Sequence, residues 1–324
     1  MIISMLRSKA PPAGARLVLI FGVGLIGGAV LQSLRKVEAC QPEVWPLRWL
    51  DRTLRLQDLS VIRQALLDYQ QRVGAIEQLD ILWAAGKAGF NAGWDTLCME
   101  VDAFKDVLQW THSLAATFPD AFGVFHMLSS AGGLFEGQRF IDHSSQPRPM
   151  RPYGEAKLLQ ETLVEQLRGE MIAHIYRPSS VYGFSGFAGR AGLVNTLVQN
   201  SKKHVASDIF GGPDTLRDYV LSSDIGDYIS MKVEQGGRVS RTFLLANGKP
   251  TSVHEMLHAV GQVVQRPLYL SFDVTPSNAS HITYRTSALP QDWRPTDLRT
   301  GIARVARQLS LSFASGTRMP TIHQ

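Results

Sequence analysis

Hydrophobic residues are grouped in short runs separated by glycine, and the first such run sets the frame. Residues 16–34 read RLVLIFGVGLIGGAVLQSL, where the strand formers Leu17, Val18, Leu19, Ile20 and Phe21 break at Gly22-Val23-Gly24. Beyond Gly27 and Gly28 the residues suit a helix, so the order predicted is strand, tight glycine turn, helix. Residues 44–50 (VWPLRWL) read as a second strand ending on Asp51, and 80–84 (DILWA) as a third. Leu97, Val101, Phe104 and Leu108 have helical spacing and predict a helix over 97–116. A strand over 122–128 (FGVFHML) delivers Ser129-Ser130-Ala131 at its carboxyl end. The proline-rich stretch 147–152 excludes a helix, after which Ala156, Leu159, Leu163 and Leu167 mark the apolar face of one carrying Tyr153 and Lys157. Strands over 172–176 and 242–246 and helices over 252–264 and 300–309 complete the reading. The chain is therefore an α/β protein.

At 324 residues the chain can bury the core of one large or two modest domains. The formal net charge of +5 is small for this length, and Lys and Arg are scattered. No basic-aromatic stripe suggests nucleic acid, and the basic balance points to small anionic ligands. Two cysteines, Cys40 and Cys98, argue against a disulfide scaffold and fit a reducing compartment, the cytoplasm. Residues 1–15, with Pro11-Pro12-Ala13-Gly14, are expected to be a flexible extension. The apolar block after Arg7, Lys9 and Arg16 has the composition of a signal or anchor segment, but its glycine turn divides it and no clear cleavage site follows. No membrane partner is expected.

In strand-turn-helix context the G-x-G-x-x-G of Gly22, Gly24 and Gly27 has a mechanism. It allows a tight turn, close approach of backbone to a pyrophosphate, and phosphate charge at a helix N-terminus. Asp51, at the end of a second strand, would accept from an adenosine ribose and repel a 2′-phosphate, favouring NAD over NADP. Arg52 beside it could stack on adenine or meet a phosphate, which leaves NADP open. An ordinary turn residue is the alternative for Asp51. Small residues at Ala84-Ala85-Gly86, followed by Lys87, would let a cofactor lie on the backbone. Tyr153 and Lys157 lie one helical turn apart, and an ammonium beside a phenol favours the phenolate that proton transfer needs. His126 reads as a satisfied core histidine, and Tyr182 as a contact or packing residue.

A rival motif sits at His254-Glu255-Met256-Leu257-His258, which spells the H-E-x-x-H of zinc peptidases. Its third ligand is the weak point: Val264 stands where the longer pattern needs His, no Glu follows Glu255, and the remaining Asp273 and His281 fit no known spacing. Solvent-facing His and Glu on a packed helix is the preferred reading, with no metal.

Taken in order, these blocks resemble the extended short-chain dehydrogenase/reductase family, the NAD-dependent sugar epimerase/dehydratase group. The set also includes Arg177-Pro178-x-x-Val181-Tyr182-Gly183 and Arg217-Asp218-Tyr219-Val220, and the resemblance runs from Arg16 to about Leu309. It implies a Rossmann-type doubly wound parallel sheet with a smaller C-terminal substrate lobe. The cofactor domain would be 16–183 with 218–248, and the lobe 184–217 with 249–324. The resemblance makes Ser130, Tyr153 and Lys157 catalytic and gives the cofactor Gly22, Gly24, Leu25, Ile26, Gly27, Asp51, Arg52, Ala84, Ala85, Gly86, Lys87, Tyr153, Lys157 and Pro178. Ser130, Tyr153, Ser180 and Arg217 would meet a nucleotide sugar, Arg217 gripping its pyrophosphate. The implied activity is NAD-dependent epimerisation or reduction of that sugar, serving surface polysaccharide, by a cytoplasmic homodimer paired through the 97–116 helix and the Tyr153 helix.

Three departures stand out. Phe21 fills the family's first glycine position, Glu100-Val101 replaces Asn-Val, and Ser180 replaces an Asn. Ala131-Gly132-Gly133 follows Ser130 where 4,6-dehydratases carry Asp-Glu, which disfavours dehydration. A non-catalytic NAD(P)-binding sensor or scaffold of the same fold is the alternative, although such proteins commonly lose the Tyr or Lys kept here.

Overall fold

The computed structural model describes residues 2–7, 15–37, 42–167, 169–184, 192–274 and 280–314. The first part runs β1 (Ile2–Arg7), β2 (Ala15–Phe21), α1 (Leu25–Val37), β3 (Glu43–Val44), α2 (Arg52–Val73), β4 (Ile76–Trp83), α3 (Trp94–Thr117) and β5 (Phe122–Leu128). The middle follows as α4 (Ala131–Leu134), α5 (Pro152–Glu165), β6 (Ile172–Pro178), β7 (Ser180–Tyr182), α6 (Leu193–Lys203) and β8 (Ser207–Phe210). The rest is β9 (Leu216–Arg217), β10 (Tyr219–Leu221), α7 (Ser222–Gln235), β11 (Arg241–Leu245), β12 (Thr251–Ser252), α8 (Val253–Val264), β13 (Leu270–Asp273) and α9 (Leu298–Ala314).

Seven strands form one sheet in the order β11-β6-β5-β4-β2-β1-β3, and β2, β4, β5, β6 and β11 are mutually parallel. Residues 17–21 of β2 are all fully buried, as an unbroken apolar strand must be when both faces of its sheet are covered. Alternate side chains leave by opposite faces. Leu17, Leu19 and Phe21 join Leu66 of α2, Phe104 of α3 and Val164 of α5. Val18 and Ile20 join Val30 of α1 and Ile225 of α7 on the other face. The sheet is thus doubly wound, the Rossmann arrangement. A separate apolar cluster unites Val194 and Leu197 of α6, Met256 and Val260 of α8, and Ile302 and Val305 of α9.

Two expectations change. Residues 2–7 are not a loose extension but an antiparallel strand on β2, registered from Ile2 opposite Ile20 to Arg7 opposite Ala15. Pro11-Pro12-Ala13-Gly14 and Cys40 lie outside the described residues. Because β1 takes the edge of β2, the strand expected over 44–50 has no ladder to join. Only Glu43–Val44 pairs, with β1, and Pro46 lacks the N–H that pairing would need. The alternation behind the expectation is real, since Trp45, Leu47 and Trp49 all pack on the core beneath β2 and β4. The apolar block of 16–34 divides between β2 and α1, and among the described residues no helix is long and apolar enough to cross a membrane.

Candidate active site

The carboxyl ends of β2, β4 and β5 meet at one edge, where open α/β sheets take their ligands. Gly22 has φ +91°, and the Ala84 N–H donates to the Phe21 carbonyl at 2.8 Å, drawing the two strand ends together. A Cβ on Gly22 would lie 2.4 Å from Ala85 Cα, and one on Gly27 1.9 Å from the Gly22 carbonyl oxygen, so neither position admits a side chain. Gly24 differs: nothing lies within 4 Å of a Cβ there. Helix α1 begins at once with Leu25, Ile26 and Gly27, and its first turn holds no carboxylate. Its N-terminal N–H groups and dipole therefore favour an anion beside an open glycine, a cradle that fits a dinucleotide pyrophosphate.

The loop after β4 forms the neighbouring wall. Gly86 has φ +145°, and the Glu100 carboxylate of α3 accepts the N–H groups of Lys87 and Ala88, the latter at 2.6 Å. Lys87 is exposed and Ala88 buried.

After β5, Ser130 caps α4, its Oγ accepting the Gly133 N–H at 3.1 Å and keeping its own O–H to donate. Helix α5 opens with Pro152 at its first position. A Cβ on Gly154 would lie 2.2 Å from the Gly133 oxygen, and one on Gly133 only 3.0 Å from the Tyr153 ring. Glycine on both sides thus lets Tyr153 lie against the turn that Ser130 caps. One turn later Lys157 Nζ donates to the Leu128 carbonyl at 3.2 Å and to Gln160 Oε1 at 3.1 Å. Burial lowers the Lys157 ammonium to about 8, opposed by the charges of Glu100 and Glu161. The expected apolar face of α5 is displaced. Leu159 is 39% exposed, whereas Gln160 and Glu161 are buried because Lys157 and Arg177 satisfy them.

Other candidates divide. Pro178 ends β6, and Ser180 begins β7 with its N–H on the Asp218 carbonyl at 3.0 Å. Arg217 stands on β9, half-buried, with Nη1 donating to the Leu216 and Ser280 carbonyls. Desolvation lowers its pKa, and Glu136 and Arg151 are among the charges it feels. Arg151 pairs with Glu136 at 2.8 Å, stacks over Phe90 at 4.6 Å, and precedes Tyr153 by two residues. No sequence signal marked this Glu136-Arg151-Phe90 group. Asp51 is the N-cap of α2, accepting the Leu54 N–H at 2.9 Å, which is the turn-residue alternative. Arg52 pairs with Asp106 at 3.2 Å. Tyr182 is 1% exposed and packs in the C-terminal cluster. His126 is fully buried between Asp80 and Tyr176. Glu255 forms a capping box with Ser252, and His254 and His258 face solvent on a helix buried through Met256, Leu257 and Val260. Among the described residues no group of His, Cys, Asp and Glu could hold a metal.

Comparison with known proteins agrees with this fold. The family model of the NAD dependent epimerase/dehydratase family matches residues 18–246. A UDP-glucose 4-epimerase candidate from Methanocaldococcus jannaschii is 26% identical over 189 residues, 55% of this chain and 61% of that protein. The match therefore spans less than two thirds of that relative. Thermus thermophilus UDP-glucose 4-epimerase, solved with NAD, superposes with a TM-score of 0.68 at 15% identity, covering 90% of this chain and 98% of its own. MoeE5, solved with UDP-glucuronic acid and NAD, gives 0.72 at 19% identity over 91% and 99%. At these identities the structures speak for the fold, whereas the family model spans most of the chain and takes in the glycine turn, Tyr153 and Lys157; the chain belongs to the NAD dependent epimerase/dehydratase family.

Proposed function

We propose that this chain is an NAD-dependent epimerase or reductase of a nucleotide-activated sugar. The observation that carries the reading is the meeting of Ser130, Tyr153 and Lys157 at the sheet edge that also bears the glycine turn. Gly22, Gly24, Leu25, Ile26 and Gly27 would hold the cofactor's pyrophosphate, with Ala84, Ala85, Gly86 and Lys87 along its flank and Pro178 behind it. When bound, the nicotinamide supplies a hydride acceptor and donor. The Tyr153 hydroxyl would move the matching proton to and from a sugar oxygen. The Ser130 hydroxyl would donate to that oxygen, its lone pair already engaged by Gly133. The Lys157 ammonium would favour the Tyr153 phenolate. The Arg217 fork suits the substrate diphosphate, beside Ser180. Relatives that bind UDP-sugars with NAD support the same chemistry.

The same proposal assigns 16–183 with 218–248 to the cofactor and 184–217 with 249–324 to the substrate. It also includes a cytoplasmic location and a homodimer joined through α3 and α5, where Met99 and Leu159 stay exposed. The test is a panel of UDP-, GDP- and dTDP-sugars with NAD(P)(H). Wild type should turn over at least one, and Tyr153→Phe should lose about 100-fold or more in rate. Absence of turnover, with Tyr153→Phe indistinguishable from wild type, overturns the enzymatic reading.

A further inference from the structure

We propose that Glu100 is a positioning residue of this site, fixing the Gly86–Ala88 backbone and supplying the counter-charge to the buried Lys157 ammonium. The inference rests on the cofactor reading above and assigns a role to a residue that departs from the family's Asn. Three observations meet at this one side chain. Its Oε1 accepts two consecutive backbone N–H groups, Lys87 and Ala88. It faces Gly86, whose φ of +145° only glycine holds easily and where an added Cβ would lie 3.2 Å from Oε2. Its charge, ahead of that of Glu161, also favours the Lys157 ammonium against the effect of burial.

The groups that touch Lys157, act on it by charge or lie one turn from it come from three elements. From α5 there are Tyr153 one turn back, Gln160, and Glu161, and from β5 the Leu128 carbonyl. From α3 there is Glu100, next to Val101, which shares an apolar cluster with Ala156 of α5. Glu161 is committed to a two-point pair with Arg177, Nε to Oε1 at 3.0 Å and Nη2 to Oε2 at 2.6 Å. Glu100 instead gives its carboxylate to the loop N–H groups. An Asn in its place would offer an oxygen to the loop but no charge to the ammonium. The carboxylate therefore joins two tasks: it shapes the wall along which a cofactor lies and holds the positive charge beneath it.

The test has two arms. Without cofactor, pH-dependent acetylation of Lys157 is followed by peptide mass spectrometry in wild type, Glu100→Gln and Glu100→Asp. Loss of the charge should move the titration of Lys157 about one pH unit lower in Glu100→Gln, with Glu100→Asp close to wild type. Identical titrations in wild type and Glu100→Gln overturn the counter-charge role. In the second arm, NADH binding is followed by nicotinamide fluorescence. Glu100→Leu, which removes both loop hydrogen bonds, should bind about tenfold more weakly, while Glu100→Gln loses less. Equal affinity of Glu100→Leu and wild type overturns the loop role. If wild type itself binds no NADH, the cofactor reading fails while the first arm still decides the charge.

Discussion

The three glycines of the opening turn look alike in sequence but face different surroundings. Gly27 and Gly22 are pressed against backbone, while Gly24 faces open space. A methyl group on Gly27 must push the turn apart, so Gly27→Ala should cost about 1–3 kcal/mol and abolish NADH binding. Gly24→Val should melt within about 2 °C of wild type yet bind NADH more than tenfold more weakly, because its side chain would occupy only ligand space. Paired thermal melts and NADH titrations check both, and a Gly24→Val protein that binds normally would remove the pyrophosphate from this turn. These residues were legible because their chemistry depends on local spacing alone, as does the Tyr153-Lys157 pair. Glu100 was legible only as a departure from the family's Asn, and Arg151 not at all, since their roles arise only when α3 and the 86–91 loop pack beside α5. Asp51 reads both ways, because capping a helix and meeting a ribose call for the same side chain at the same place.

Elements were legible where their periodicity was undiluted. Helix α2 buries Arg55, Leu59, Ile62, Leu66 and Tyr69 at helical spacing, but the Gln, Arg and Asp residues between them hide the pattern, and α6 and α7 were missed for similar reasons. The strands hide a different feature, a polar chain across β4, β5 and β6. Gln78 Nε2 donates to Asp80 Oδ2 at 2.8 Å, Asp80 Oδ1 meets His126 Nε2 at 3.0 Å, and His126 Nδ1 meets the Tyr176 hydroxyl at 2.9 Å. Desolvation pushes the Asp80 carboxyl up, so the chain is stable only while each member keeps its partner. His126→Leu should cost about 3–5 kcal/mol in urea unfolding. The Asp80→Leu, His126→Leu double variant should be no worse than the single, and simple additivity would count against the network. Adjacent on β6, burial lowers His174 to about 4, whereas an unfolded histidine titrates near 6.5. Between these values the unfolded chain binds the extra proton, so stability falls as pH drops from about 6.5 toward 4. His174→Gln should flatten that slope, and an unchanged slope would clear His174 of the effect.

At the scale of the molecule, the question is whether the sheet and the C-terminal cluster unfold together. The segment before α9 answers through its hydrogen bonds. Trp293, only 4% exposed, packs with the sheet's α1-α7 face, and its indole N–H donates to the Ala246 carbonyl at 2.7 Å. Three residues on, Thr296 donates its N–H and hydroxyl to Asp224 of α7 at 2.6 and 3.0 Å, and its carbonyl accepts from Asn247. The chain then enters α9, whose Ile302, Val305 and Leu309 lie in the other core. Asp218 makes a second tie, accepting the Ser179 hydroxyl at 2.6 Å and the Asn247 and Gly248 N–H groups at 2.7 Å each. Opening either core breaks buried polar groups anchored in the other, so the two should melt in one transition, near- and far-ultraviolet dichroism coinciding. Trp293→Ala removes a large aromatic from the sheet side of that tie and should cost about 3–5 kcal/mol. Its loss should also draw the two signals apart, because α9 would then be joined to the sheet through the polar ties of Thr296 and Asp218 without the buried indole. Two separated transitions already present in wild type would mean that the Trp293 and Asp218 ties do not couple the cores.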